Sequence, residues 1–337
     1  MVFPLLSRGP QLPHLLIPFG DGGAGITFYA ISYLIGAGLA LFLSSWRAHE
    51  DGYPKDFFIN LFFVAFPMGI IGGRVWYVIA DWSSFFGPNA TQDWYAIWEG
   101  GMAIQGGAIF GIGSGMLFAK FRRRGCPLLQ ACDWAVPTIL VAQMIGRWGN
   151  FFNAEVHGNI VSSAAYPLLP GFIINQMGYS GLPNSGNFIV LEDPSQMFAP
   201  LFLIEGLMNV AGYFLITRGF ETVFKRYRLY GDETFSYLVW YGLTRLLLEP
   251  VRDSQYHMTM HDGGPMQAVI MAWIFVAIGL ALIAVNHLII NLGERGIVHY
   301  GDKLSNIMVN HASYYLPEGN HFRQAQIKLV PQGGSHV

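Results

Sequence analysis

The chain has 337 residues, 53% of them hydrophobic and only 12% charged, with 26 Phe and a formal net charge of −2. Together with a mean hydropathy of +0.37, this excludes an ordinary soluble domain and points to an all-α polytopic membrane protein. No nucleic-acid partner is expected.

Residues 1–25 read as an external N-terminal segment. Pro10, Pro13 and Pro18 interrupt it, and it lacks the apolar core of a signal peptide. Runs near 20 apolar residues then predict seven transmembrane helices, at 26–46, 57–80, 101–119, 128–148, 197–217, 232–250 and 265–290. These form a membrane domain over 26–290. Gly107, Gly111 and Gly115 recur every fourth residue in the third span, a stripe that allows close helix packing and carries no chemistry. Trp82, Trp94 and Trp98 flank an external arm over 81–100. Between spans four and five lies 159–196, rich in Gly, Pro, Asn and Ser. Its apolar runs Phe172-Ile173-Ile174 and Phe188-Ile189-Val190-Leu191 predict a small folded external head. The tail, 291–337, reads as mobile cytoplasmic sequence. Cys126 and Cys132 sit beside a basic loop, so no structural disulfide is expected.

Charge placement gives the orientation. The loops after the first, third and fifth spans, with the tail, hold 14 of the 19 Lys and Arg. Those parts are therefore cytoplasmic, with the N-terminus outside and the C-terminus inside. The remaining five are all arginine: Arg8, Arg74, Arg147, Arg245 and Arg252. The last four fall at the outer ends of spans two, four and six. Arginine grips phosphate oxygens with a planar fork, so this set suggests an anionic lipid headgroup as ligand. A purely structural role is the bland alternative.

The stretch from Gly146 to Gly158 closes the fourth span. An arginine at bilayer depth costs about 2.5–3.5 kcal/mol and needs something to hold it. On a helix Arg147 and Asn150 share a face. The bland reading is a helix end that snorkels its arginine to the interface; the sharp one is an anion site. In the sixth span Arg245, Glu249 and Arg252 follow i, i+4, i+7, with Pro250 expected to bend the helix between Glu249 and Arg252. Glu249 either orients Arg245 or works as a base. Glu205 and Asn209 stand i, i+4 in the fifth span, and Tyr29 and Gln105 are further polar candidates.

Gly146 to Gly158 resembles the signature of the bacterial prolipoprotein diacylglyceryl transferase family, G-R-x-G-N-F-x-N-x-E-x-x-G, with all eight fixed positions filled. The resemblance covers about residues 15–290. Phe28-Tyr29-Ala30 is similar to the family's W-Y-G, Gly72-Gly73-Arg74 to its G-G-R, and Trp98 to Met102 with Gly106-Gly107 to its W-x-G-G-[LMI] and G-G. Asp133 to Pro137 resembles D-x-x-x-P, and Tyr241-Gly242 through Arg245 and Glu249 resembles Y-G-x-x-R-F-x-x-E.

The resemblance implies a seven-span enzyme of the bacterial inner membrane whose active site faces the outer leaflet. It would move a diacylglyceryl group from phosphatidylglycerol to the lipobox cysteine thiol of a prolipoprotein signal peptide, without a cofactor or metal. Glycerol phosphate would leave. Arg147, Asn150, Arg245, Glu249, Tyr29, Gln105, Glu155 and His157 are the implied catalytic set. Arg147, Asn150, Asn153, Gly158, Arg245, Arg74, Arg252 and Glu205 would bind the lipid. Two departures stand out. Gln105 occupies the place of the family's proposed histidine base, and glutamine takes no proton. Ala199 to Glu205 lacks the His and Tyr of H-P-[ST]-x-L-Y-E. Either His157, Glu155 or Glu249 then deprotonates the thiol, or the chain is a non-catalytic or retuned paralogue that binds anionic phospholipid. A lipid flippase or transporter is a further alternative, opposed by the lack of internal repeats.

Overall fold

The computed structural model of the chain describes residues 8–18, 25–54, 56–86, 93–96, 101–122, 128–183, 188–224, 227–253, 267–294, 314–318 and 321–325. It is mostly helical and divides into two compact units, residues 41–134 and residues 1–40 with 135–337. A short strand pair, β1 (Leu15–Pro18) and β2 (Gly25–Thr27), leads into α1 (Phe28–Glu50).

The smaller unit is built on α2 (Asp56–Ala80) and α4 (Ile104–Arg122), with the one-turn helix α3 (Trp82–Phe85) between them. These two long helices pack against each other along their glycines. A Cβ on Gly72 would lie 2.5 Å from the Gly106 carbonyl oxygen, and one on Gly106 would lie 2.2 Å from the Gly72 oxygen. Backbone meets backbone there, at a glycine outside the predicted stripe; of the stripe itself, Gly107 and Gly111 would place a Cβ 3.3 Å and 3.4 Å from the carbonyl oxygens of Gly69 and Ala65. Near the end of α2, buried Arg74 donates to the carbonyls of Trp94 (2.9 Å), Gly101 (3.1 Å) and Asp93 (2.7 Å). It ties Asp93, Trp94 and Gly101 to α2. Trp98 and Cys126 fall outside the described residues; Cys132 is a free thiol.

The fourth span, expected to be continuous over 128–148, is two helices. α5 (Leu128–Ala135) stops, and after the turn Val136-Pro137 the chain restarts as α6 (Thr138–Asn153). Pro137 has no N–H to donate and disfavours helix at Val136, yet its fixed φ suits a helix start. In the larger unit α6 packs on α8 (Leu201–Thr222), α8 on α9 (Asp232–Leu248), and α9 on α10 (Gln267–Glu294). Helices thus occupy each of the seven expected stretches. Five of them, counting Leu128–Asn153 as one, are long and apolar enough to cross a membrane; α4 carries only the shorter apolar stretch Ile109–Phe118. The bend expected at Pro250 is an ending instead. α9 stops at Leu248 and tightens into a 3-10 turn, Glu249–Val251.

Between α6 and α8 the chain folds on itself. β3 (Ile160–Ser162) pairs antiparallel with β6 (Gln196–Phe198), and β4 (Tyr179–Ser180) pairs with β5 (Ile189–Val190), around the short helix α7 (Gly171–Gln176). Ile173, Met177, Met197 and Phe198 form its core with Phe151 of α6 and Phe202 of α8. Arg8 binds this segment through the carbonyls of Ile174, Asn175, Leu191, Asp193 and Gln196, at 2.7–3.3 Å. This explains an arginine so far from the others. In the tail β7 (Tyr314–Glu318) pairs with β8 (His321–Ala325).

Candidate functional site

The site is assembled at the end of α6. Arg147 and Asn150 lie one turn apart on it, as their spacing predicts, and Arg147 Nη1 donates to Asn150 Oδ1 at 3.4 Å. α6 closes with Ala154 in the left-handed region (φ 50°), and Val156 follows at φ 55°. A β-branched residue there is strained, at a cost on the order of 1–3 kcal/mol. The two turns set Glu155 back against the helix end. Its Oε1 accepts from Asn150 Nδ2 (3.0 Å) and Asn153 Nδ2 (3.5 Å).

The other side of Arg147 meets α8. Its Nη2 forms an ion pair with Glu205 Oε1, while Glu205 Oε2 faces Arg252 Nη2 at 3.7 Å. Arg252 Nε lies 3.4 Å from Glu249 Oε2, and that same oxygen takes Arg245 Nε at 3.1 Å. A continuous relay therefore runs Glu155, Asn150, Arg147, Glu205, Arg252, Glu249, Arg245. Its middle is buried: Glu249 is 0% exposed, Arg252 5% and Glu205 8%. Its two outer guanidiniums, Arg147 and Arg245, keep 23% and 22% of their side-chain surface. Buried charges in such a place must be paired, and here each pairs along the row. A small cavity between α8 and α9 adjoins it, lined by Glu205, Asn209, Tyr241, Thr244, Arg245 and Arg252.

Gly149 and Gly158 serve close approach. A Cβ on Gly149 would come within 2.7 Å of the Tyr29 ring, so Tyr29 packs on α6 one residue before Asn150, within electrostatic reach of Arg147 and Glu155. The Tyr29 hydroxyl bonds that of Tyr33 at 3.1 Å. Gly158 bridges Arg252 in an antiparallel contact and donates to the Ala199 carbonyl at 3.0 Å; a Cβ there would lie 2.8 Å from the Ala199 methyl. It brings the backbones on either side of the relay together.

His157 is 1% exposed, with its ring 3.9 Å from that of Phe198 and Nδ1 3.2 Å from the Gly158 carbonyl. Burial pushes its pKa below the usual histidine value. Arg74 belongs to the smaller unit, and all three of its guanidinium nitrogens are occupied by carbonyls. Gln105 lies on α4 of that unit, with its side chain outside the described residues. Asn209 was visible in the sequence only as the i+4 neighbour of Glu205. Among the described residues no three His, Cys, Asp or Glu side chains gather as a metal-holding group.

An arginine-rich, water-restricted site of this kind can stabilise an anion that gains charge during reaction. Comparison with known proteins gives it a family. The family model described as prolipoprotein diacylglyceryl transferase matches residues 17–285. Two curated relatives, from Bacillus cereus and Bacillus anthracis, are each named phosphatidylglycerol–prolipoprotein diacylglyceryl transferase. Each is 34% identical over 290 residues, covering 85% of this chain and 94% of the relative. The signature, the relay built around it and these matches agree: the chain belongs to the prolipoprotein diacylglyceryl transferase family.

Proposed function

We propose that the protein transfers the diacylglyceryl group of phosphatidylglycerol to the lipobox cysteine thiol of prolipoproteins. The thiolate sulfur attacks the glycerol carbon that bears the phosphodiester, a thioether forms, and the carbon–oxygen bond breaks. Glycerol phosphate leaves with one more negative charge than the diester carried, and the thiol proton goes to a base. One observation carries the reading: two partly exposed arginines, Arg147 of the family signature and Arg245, stand at the ends of a buried carboxylate–guanidinium row. Fixed cations of this kind stabilise departing charge without reorganisation.

In this reading Arg147, Asn150 and Arg245 hold the phosphate, while Glu205, Glu249 and Arg252 orient them. Of the three candidate bases, Glu249 is wholly buried between Arg245 and Arg252, and His157 is buried against Phe198. Glu155 is half-buried and held only by amides. We therefore assign the proton transfer to Glu155. Gln105 orients substrate through hydrogen bonds, and Tyr29 supports the end of α6. The protein crosses the bacterial inner membrane seven times, N-terminus outside and C-terminus cytoplasmic, with the site facing the outer leaflet. The folded segment 159–196 is the external head that receives the signal peptide. The test is the leaving group: purified protein with phosphatidylglycerol should release one glycerol phosphate per lipobox peptide, and none when the peptide's cysteine is replaced by serine.

A further inference from the structure

Glu155 meets the relay only through the amides of Asn150 and Asn153. The ion-paired part, from Arg147 to Arg245, contains three arginines and two glutamates, Glu205 and Glu249, so one guanidinium there is in excess. Arg147 is occupied by Glu205 and Asn150, and Arg252 lies between both glutamates. Arg245 gives only Nε, to Glu249, and its two terminal nitrogens meet no hydrogen-bond or ion-pair partner among the described residues. The surplus charge therefore sits at Arg245. Asn209 stands beside it on α8, one turn beyond Glu205. It is 3% exposed, and its amide nitrogen Nδ2 has no hydrogen-bond partner among the described residues. A buried donor left unpaired is costly, and native interiors rarely keep one without a purpose.

Both groups line the same cavity, whose free volume of about 10 Å³ matches a single oxygen-sized group. A neutral hydroxyl or carbonyl ligand would satisfy the amide and leave the extra charge uncompensated. An anionic oxygen satisfies both. Glu205 also borders the cavity, but its two oxygens face Arg147 and Arg252, which offset its repulsion. We propose that Asn209 is a further lipid-binding residue, whose amide N–H together with the outer edge of Arg245 takes one non-bridging phosphoryl oxygen of the phosphatidylglycerol headgroup. The assignment rests on the transferase reading and extends it to α8.

The test uses Asn209→Leu, close in shape and without a polar group. If Asn209 were only a packing residue, the change would lower the melting temperature and leave lipid binding alone. A donor reserved for a ligand behaves oppositely, because removing an unpaired buried polar group is neutral or stabilising. In phosphatidylcholine micelles Asn209→Leu should melt at or above the parent temperature. Its KM for phosphatidylglycerol should rise roughly tenfold, the loss of one hydrogen bond to a charged group, with a smaller change in kcat. Asn209→Asp adds a pH signature: its KM should approach the parent's at acidic pH, where the protonated acid donates again, and climb as the carboxylate ionises. Stabilisation by phosphatidylglycerol over phosphatidylcholine, read by thermal melting, separates the two claims. Loss of that stabilisation in Asn209→Leu supports the subsite even if the parent transfers nothing, an outcome that would sink the transferase reading alone. Equal stabilisation and equal KM in parent and Asn209→Leu would overturn the subsite while leaving transfer intact.

Discussion

Arg147 on α6 and Glu205 on α8, 58 positions apart in the chain, are joined as an ion pair. The pair ties the family signature to α8, and Glu205 also faces Arg252. The pair is only partly buried, with Arg147 keeping 23% of its side-chain surface, so removing Glu205 costs less than the ~3–5 kcal/mol of breaking a fully buried pair. Glu205→Ala should lower the melting temperature in detergent and raise the KM for phosphatidylglycerol, because Arg147 and Arg252 lose their common anchor. A variant as stable as the parent would show that the pair does not hold α6 to α8.

Arg147→Lys separates charge from geometry. Lysine keeps the cation and loses the two-pronged fork that reaches Asn150 and Glu205 together. Loss of a preorganised anion donor costs about 2.7–4 kcal/mol, a 10²–10³-fold fall in rate. The variant should insert and fold, and turn over at that reduced rate. Parent-level turnover would make Arg147 an anchor and nothing more.

The helix contact in the smaller unit admits no side chain. Gly106→Ala places a methyl 2.2 Å from the Gly72 carbonyl oxygen, where backbone would have to move. The variant should lose most of its folded yield, whereas Gly113→Ala, with nothing within 4 Å of its Cβ position, should match the parent. The measurement is the monodisperse fraction after solubilisation.

His157 gives a pH dependence of fixed sign. Burial lowers its pKa in the folded protein, so between the folded and unfolded values the unfolded chain binds the extra proton. Stability from this group is therefore complete above the unfolded pKa of about 6.5 and is lost as pH falls below it. The parent's melting temperature should drop between neutral and mildly acidic pH more steeply than that of His157→Leu. Identical slopes would show that His157 titrates normally.

Much of the fold was legible because the helical signals are local. All seven apolar stretches hold helices, and the i, i+3 and i, i+4 spacings placed Arg147 with Asn150 and Arg245 with Glu249 correctly. What escaped depends on distance in sequence. Nothing near Glu205 announces that it meets Arg147 and Arg252, and Arg74 looked like a ligand because its carbonyl partners lie 19 to 27 residues away. The break at Val136-Pro137 was written in the proline but outweighed by the apolar run around it. The β3–β6 and β4–β5 pairs are too short to show period-two patterning. Asn209 needed the cavity beside it before its amide acquired meaning.

The most direct measurement is the intact mass of a lipobox peptide after incubation with the purified protein and phosphatidylglycerol. The account predicts a gain equal to one diacylglyceryl group on the cysteine, strongly reduced in Arg147→Lys and in Glu155→Gln. An unchanged peptide, under conditions where the Bacillus cereus relative modifies the same substrate, would contradict it.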